Sequence, residues 1–284
     1  MSDQPEIPEK PGAPLNTVYR LFFIPLLIVI VSVGLFYLFG RMTIQTKKAD
    51  DFLYEIKTGG ESKKWQAAYG LAGMLITEKN IPENTKKEYT REIISIFQNK
   101  DRYNVRVRGY LALALGYLKQ KESVPVLIEA LNGSEEDIVL YSVWALAVIG
   151  DPSAVKTILP LLEDRRPAIR KISAFALGTF GDQSVAGPLK KLLNDPVPDI
   201  SWNAALSLAE LGDSSGAPVL LKLLDRNYLN SFPRLSEREK EGVLVNVIKS
   251  VGRLKLEETR GKLEELASKD PSLKVRQAAM EAKG

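Results

Sequence analysis

The chain has 284 residues, 45% of them apolar, so it is long enough and apolar enough to bury a substantial core. Lysine and arginine total 39 against 35 acidic residues, and this net charge of +4 is too small to indicate nucleic-acid binding. The sequence contains no histidine and no cysteine, which excludes Ser-His-Asp and Cys-His nucleophile systems, zinc sites built on those residues, and disulfide bonds.

The chain begins with a tail and an apolar run. Residues 1–19 are rich in proline and acidic side chains, which predicts a disordered tail. An uncharged run, LFFIPLLIVIVSVGLFYLFG, follows at 21–40. As a helix it would span about 30 Å, the hydrocarbon thickness of a bilayer. Arg20 and Arg41 bracket the run, and aromatic residues lie near both its ends. The pattern predicts one transmembrane helix over 20–41.

A cleaved signal peptide is the main alternative for this run. The run exceeds the usual apolar core of about 7–15 residues, the preceding tail is acidic, and no A-x-A-like cleavage site follows. We therefore expect a single-pass membrane protein of the bacterial inner membrane. Basic residues number four in 41–60 and two in the tail, which favours a cytoplasmic C-terminal region. A periplasmic region stays open, because large domains are translocated despite such a bias.

Residues 42–59 are expected to form a linker with a short helix. The segment KADDFLYEIK, at 48–57, would place Phe52, Leu53 and Ile56 against the region that follows.

From residue 60 onward the chain repeats itself with a step of 31 residues. Each copy has apolar and small residues at helical spacing, which predicts a helix with one broad buried face that a neighbouring helix can approach closely. The strong copies are VRGYLALALG at 107–116, IVLYSVWALA at 138–147, IRKISAFALG at 169–178 and ISWNAALSLA at 200–209. Weaker copies lie at 64–73, 243–252 and 275–284.

A second apolar segment follows each strong copy, and Gly-Asp pairs precede three of these segments. The glycine can end one helix in the left-handed conformation, and the aspartate can cap the next helix. The second segments lie at 123–131, 153–162, 184–193 and 215–224, and the Gly-Asp pairs at 150–151, 181–182 and 212–213. A hairpin of 31 residues cannot bury its own apolar face. We therefore expect an all-α solenoid of about six helix pairs and a closing single helix over 60–284, after the transmembrane helix.

The segments VRGYLALALG and IRKISAFALGTFGDQSVAGPLKKLL resemble the short HEAT-like repeats of phycobilin lyases and of many bacterial scaffold proteins. The resemblance covers about residues 60–284 and implies a fold rather than an activity. Phycobilin lyases attach bilins to cysteines of a partner, but no residue set here marks a pigment site. HEAT-type iron hydroxylases need His-Glu motifs, and HEAT-like DNA glycosylases need a strongly basic groove. This chain offers neither.

The expected function is a membrane-anchored, non-catalytic scaffold or adaptor that binds a protein partner, or a membrane complex, through the groove of the solenoid. The alternative is an accessory lyase-like or chaperone-like factor that acts on a partner's prosthetic group. No nucleotide-binding glycine loop, GxSxG motif or aspartate-rich metal loop occurs in the sequence. We therefore expect no cofactor, no metal and no nucleic-acid partner, and we expect that the protein is not an enzyme.

Residues 226–241 interrupt the repeat with about twelve extra residues, among them Tyr228 and Phe232. Insertions in solenoids often form the binding face, although a merely longer loop explains this one equally well. If the insertion binds a partner, alanine at Tyr228 and Phe232 should weaken partner capture and leave folding intact.

Three lysines on the second helices are further candidates for partner binding. Lys191 and Lys222 occupy equivalent positions, next to Lys190, and would form a basic stripe along the groove. Glu129 and Pro160 take the same position in other repeats, however, so a solvated face of mixed charge is the simpler interpretation.

Two of the three tryptophans are expected to be structural. Trp144 aligns with Leu113 and Phe175 and is predicted to lie in the core. Trp65 aligns with Arg108 and with other arginines that are expected to be exposed, and it is predicted to cover the first hairpin.

Overall fold

The structure, a computed structural model, describes residues 29, 31–35, 47–78 and 80–283. The chain divides into two compact units, residues 1–48 and 49–284. In the first unit the described residues 29 and 31–35 are helical and exposed, and Lys47 and Lys48 are exposed without regular secondary structure. The longest helical stretch of these residues, 31–35, extends over about 8 Å at a helical rise of about 1.5 Å per residue.

The predicted single-pass membrane location is contradicted. Among the residues that the structure describes, no helix is both long enough and apolar enough to cross a membrane. A crossing needs about 20 consecutive apolar residues in one helix, and the described part of the run 21–40 supplies a far shorter helical stretch. The rest of that run, the flanking Arg20 and Arg41, and the tail 1–19 lie outside the described residues.

The second unit is built from α-helices and short 3₁₀ segments, and its described residues contain no strand. In chain order the helices are α1 (Ala49–Thr58), α2 (Glu61–Thr77), α3 (Glu83–Gln98), α4 (Val105–Leu118), α5 (Val124–Ala130), α6 (Glu136–Ile149), α7 (Val155–Ile158), α8 (Pro167–Thr179), α9 (Ala186–Lys191), α10 (Pro198–Glu210), α11 (Ala217–Leu223), α12 (Arg226–Asn230), α13 (Glu237–Leu254), α14 (Arg260–Lys269) and α15 (Leu273–Ala282). The 3₁₀ segments are Lys121–Ser123, Pro152–Ala154, Leu159–Glu163, Gln183–Val185, Leu192–Asn194, Ser214–Gly216 and Glu257–Thr259.

The helices stack in two layers. The first layer holds the seven repeated copies, as α2, α4, α6, α8, α10, α13 and α15, and each of these helices packs against the next. The second layer holds the segments between them, which pack on the first layer. Helix α1 packs on α2 and buries Ala49, Leu53 and Ile56. The stack confirms the predicted all-α solenoid of HEAT-like repeats.

The Gly-Asp pairs form the predicted turns. Each glycine has the positive φ that side chains with a Cβ avoid, and each aspartate accepts a hydrogen bond from the backbone N–H two residues later. The φ values are 76° at Gly150, 72° at Gly181 and 77° at Gly212. The hydrogen bonds measure 3.0 Å from Ser153 to Asp151, 2.9 Å from Ser184 to Asp182 and 2.8 Å from Ser215 to Asp213.

Glycine at the last position of a copy lets the first-layer helices approach closely. A Cβ atom on Gly116 would lie 2.9 Å from Cα of Ala145 on the next helix, and one on Gly178 would lie 2.6 Å from Cβ of Ser207. Both distances are too short for carbon atoms. The small residues therefore set the spacing of neighbouring helices, as the sequence predicts.

The buried side chains form two clusters that meet at α10. The N-terminal cluster runs from Ala49 to Leu211 and the C-terminal cluster from Trp202 to Ala279. Helix α10 contributes Leu208 to the first cluster and Trp202 and Ala205 to the second. One helix therefore joins the two halves of the core.

Candidate partner-binding surface

The aromatic residues of the insertion pack against the solenoid. Tyr228 lies on α12 and Phe232 directly follows that helix, and both are half-buried. Their ring centroids lie 6.2 Å and 4.9 Å from that of Trp202 in edge-to-face geometry. Such pairs add about 0.5–1.5 kcal/mol beyond their buried area. The prediction that alanine at both positions leaves folding intact therefore conflicts with the packing, because these rings belong to the C-terminal cluster.

The lysines of the second layer alternate with acidic side chains. Lys190 Nζ lies 2.7 Å from a carboxylate oxygen of Asp213, and Lys191 Nζ lies 3.7 Å from one of Glu163. Lys222 is exposed on α11. This arrangement favours a solvated face of mixed charge over a continuous basic stripe.

One tryptophan environment and one arginine environment differ from the predictions. Trp144 is only partly buried, and its equivalent in the next repeat, Phe175, is 41% exposed. The prediction that this position lies in the core is therefore wrong, because it lies on the side of the first-layer helices that faces solvent. Trp65 packs partly against the core under the guanidinium of Arg106, 4.8 Å from the ring centroid. Its equivalent Arg108, expected to be exposed, is buried.

Aromatic and aliphatic side chains line the outer side of α2, α4, α6 and α8, and we call this surface the aromatic face. Its most exposed aromatic members are Tyr69, at 60%, and Phe175. Ring contacts connect successive helices, with centroid distances of 5.3 Å from Tyr69 to Tyr110 and 6.4 Å from Tyr110 to Tyr141. The members are Tyr69, Ile76, Tyr110, Leu113, Tyr117, Tyr141, Trp144, Ile172 and Phe175.

Glycines on α4 make room for the rings of α6. A Cβ atom on Gly109 would lie 2.8 Å from the ring of Tyr141, and one on Gly116 would lie 3.0 Å from the ring of Trp144. Trp144 also meets Tyr117 edge-to-face at 5.0 Å between centroids. These contacts hold the rings in place before any partner binds, which lowers the conformational entropy lost on binding.

The aromatic face is electrically neutral at its centre. Burial raises the pKa of the Tyr117 phenol. The pKa of Tyr141 is raised first by burial and then by the nearby Asp137 carboxylate and Tyr110. Both hydroxyl groups therefore stay protonated at neutral pH. They can donate hydrogen bonds at the margin of an otherwise apolar contact.

The repeat fold itself does not require the aromatic face. At the fourth position of a copy, Tyr110 and Tyr141 give way to Asn203 and Asn246 in later helices. At the seventh position, Trp144 and Phe175 give way to Lys249 and Glu281 in α13 and α15. This surface was not predicted, because the seventh position of the copy was assigned to the core. The change from aromatic to polar residues along the repeats is the signal that could have revealed it.

The central part of the solenoid is similar to a known family. The family model for HEAT repeats matches residues 91–165 and 155–231. No curated protein shows significant sequence similarity to the chain. In the part that the structure describes, no group of three or more carboxylates is arranged to hold a metal ion.

Solved structures share the fold at low sequence identity. The complex of CpcE and CpcF of phycocyanin lyase from Nostoc sp. PCC7120 aligns with a TM-score of 0.57 at 17% identity, over 85% of this chain and 95% of that chain. YibA of Escherichia coli aligns with a TM-score of 0.50 at 14% identity, over 84% and 92%. Human deoxyhypusine hydroxylase reaches a TM-score of 0.34 at 16% identity, over 82% and 94%, which is too low to carry an argument. These similarities show the fold alone.

Proposed function

We propose that this solenoid of HEAT-like repeats is a non-catalytic scaffold that binds a protein partner through its aromatic face. The observation that carries the proposal is the exposure of large apolar rings at Tyr69 and Phe175, within a surface of ordered aromatic side chains. Exposed apolar patches of this kind mark interaction sites, and tyrosine and tryptophan are enriched at binding hot spots. This binding surface lies on the first layer and not in the groove, where the repeat pattern predicted it.

Burial of the exposed rings against a partner should supply part of the binding free energy. Complete burial of a large apolar side chain contributes about 1.5–3 kcal/mol, and about 1.4 kcal/mol corresponds to a tenfold change in affinity. Loss of both Tyr69 and Phe175 should therefore weaken partner binding about tenfold, because a substantial part of each side chain is exposed before binding.

Affinity purification of the full-length chain with mass spectrometry tests the proposal. The chain with Tyr69→Ser and Phe175→Ser is compared with the original chain and with a control carrying Leu273→Ser and Met280→Ser. The control residues are exposed and apolar but lie on α15, at the other end of the solenoid. We expect one stoichiometric protein with the original chain and the control, and its loss with the aromatic-face variant. Equal retention by all three chains would reject the aromatic face.

Tyr228, Phe232, Lys191 and Lys222 stay proposed as secondary contacts. The two lysines are tested in the same purification with a Lys191→Ala and Lys222→Ala variant. Exposed charges contribute little to stability, so this variant should fold normally. Unchanged retention of the partner would remove the second layer from the proposal.

The second candidate function is an accessory lyase-like factor that acts on a partner's prosthetic group. It is supported at the level of fold by the alignment with the phycocyanin lyase complex over 85% of the chain. An absorbance spectrum of the same eluate separates the two candidates. A visible band that copurifies with the original chain would favour the lyase-like factor, and a colourless protein complex would favour the scaffold.

A further inference from the structure

Three arginines occupy the second position of a copy, and one of them pairs with a carboxylate of the turn that follows in the next repeat. Arg170 on α8 pairs with Asp195, 25 residues later, in the turn that leads to the next first-layer helix. Its Nε and Nη2 lie 2.9 Å and 3.2 Å from the two carboxylate oxygens. The Asp195 side chain is 6% exposed. The arginine is therefore matched by a buried, bidentate carboxylate.

Arg108 on α4 occupies the same position, but the residue 25 places later is Gly133, which has no side chain. Arg108 is 3% exposed, so its charge is almost completely buried. Nε donates a hydrogen bond of 2.8 Å to the backbone oxygen of Phe97, and Nη1 donates one of 3.0 Å to Glu135. Among the described residues, Nη2 has no hydrogen-bond partner.

Glu135 is an incomplete substitute for the missing aspartate. It contacts the guanidinium through one oxygen, and its side chain is 38% exposed, unlike that of Asp195. A glutamate with this exposure can turn into solvent when another carboxylate binds. A buried cation without a well-placed counter-ion is costly. The planar guanidinium of Arg108 therefore favours an anion that offers two oxygens in its plane.

A cavity of about 490 Å³ opens where the aspartate would lie. Phe97, Val126 and Ala130 supply an apolar wall, and Arg108 and Gly133 lie on the same cavity. The volume falls within the range of about 300–1,000 Å³ that is typical of small-molecule sites. The rim carries Lys100 and Glu129 besides Glu135, so it has no strong net charge of its own.

We propose that this cavity binds a carboxylate attached to a small apolar group, with Arg108 holding both carboxylate oxygens in place of the missing aspartate. Two sources share this chemistry, a free organic acid and the C-terminal carboxylate of a polypeptide. The second source rests on the proposed function as a protein-binding scaffold, and the first does not. The site lies among α3, α4 and α5, apart from the exposed rings of Tyr69 and Phe175.

Calorimetric titration of the purified full-length chain tests the proposal. The probes are isovalerate and acetyl-leucyl-leucine, each compared with its amide. We expect the acid to bind about tenfold or more tightly than its amide, since hydrogen bonds to charged groups are the strong ones. Binding of isovalerate indicates a free acid as the ligand, and binding of the peptide acid alone indicates a polypeptide terminus. No preference for either acid over its amide would overturn the proposal.

A variant that restores the missing carboxylate gives an independent check. Gly133→Asp should abolish acid binding and raise the urea midpoint of unfolding, because the new carboxylate pairs with Arg108. A Cβ atom at Gly133 would lie 3.2 Å from the Ala130 carbonyl oxygen. At this distance the backbone needs to shift only slightly to accept the aspartate. Gly187→Asp adds the same charge at an open surface position and should change neither quantity. If Gly133→Asp binds the acids as well as the original chain does, the cavity is not the site. Because these tests use no protein partner, their failure is distinguishable from failure of the aromatic face.

Discussion

Asp213 begins the turn between α10 and the second-layer segment of its repeat, and its carboxylate makes two kinds of contact. One oxygen accepts the backbone N–H of Ser215 at 2.8 Å, and the other lies 2.7 Å from Nζ of Lys190 in the preceding repeat. Burial opposes ionisation of this carboxyl group, but the hydrogen bonds from Lys190 and Ser215 outweigh it and lower its pKa from 3.8 to about 2. The charged form therefore stabilises the folded state.

The shifted pKa of Asp213 sets a pH window for stability. Because the folded pKa is depressed, the contribution is present above the unfolded value of 3.8 and is lost as pH falls toward about 2. Asp213→Asn keeps a capping side chain but loses the charge. We expect the variant to be less stable at neutral pH and the difference to shrink between pH 4 and pH 2. Urea unfolding at several pH values measures this. A difference that stays constant would contradict the assignment.

At the scale of the element, the contact between α8 and α10 depends on Gly178. A Cβ atom there would lie 2.6 Å from Cβ and 2.8 Å from Cα of Ser207, so the two helices would have to move apart. The Ser207 hydroxyl, which donates a hydrogen bond of 2.9 Å to the backbone oxygen of Ala174, would move with the helix. At an exposed helical glycine such as Gly187, an added Cβ atom would meet no neighbouring atom.

Gly178→Ala should therefore lower the free energy of unfolding by about 1–3 kcal/mol, the usual cost of overpacking. Gly187→Ala, on α9 with open space around it, should be neutral or slightly stabilising because alanine favours the helix. Chemical denaturation of both variants measures the difference. Equal stabilities would show that the two helices separate without cost.

Local chemistry explains which elements the sequence could predict. The first-layer helices and the Gly-Asp turns depend on residues close together in the chain, such as Gly150 and Asp151, and both were predicted correctly. The second-layer segments are less regular than expected. Helix α7 covers only Val155–Ile158 before the backbone tightens into a 3₁₀ segment. Pro160 lies at this change, where it has no N–H to donate to the preceding turn.

Long-range packing explains the remaining differences. The rings of the insertion are half-buried because they pack against Trp202, which is far away in sequence from Phe232. The exposure of Phe175 depends on which side of α8 meets the second layer, and a repeat of small and apolar residues does not reveal that side. The aromatic face could therefore not be located by periodicity alone. The cavity at Arg108 was missed for a related reason, because Arg108 was taken to be exposed.

At the scale of the whole unit, α10 determines whether the two clusters unfold together. Nearest-neighbour contacts hold repeat proteins together, so weakening one interface can separate the two sides. Trp202 supplies the largest side chain of α10 to the C-terminal cluster and meets both Tyr228 and Phe232. Leu208 faces the other way, into the N-terminal cluster.

Trp202→Ala should cost about 3–5 kcal/mol and lower the stability of the C-terminal cluster more than that of the N-terminal one. We expect hydrogen exchange to accelerate in α13, α14 and α15 while α4 and α6 keep their protection. Hydrogen-exchange mass spectrometry measures this helix by helix. Uniform acceleration over all five helices would show that the unit opens as one cooperative body.

The ungapped step of 31 residues also bears on how such a chain can change over generations. Between Val107 and Ala209 each copy presents the same kind of surface to its neighbours, so a gene segment that encodes one unit can be duplicated or lost without leaving mismatched helices. A duplication of the unit that carries Trp144 would lengthen the aromatic face by one helix. The size of the aromatic face can thus evolve separately from the packing that keeps the chain folded.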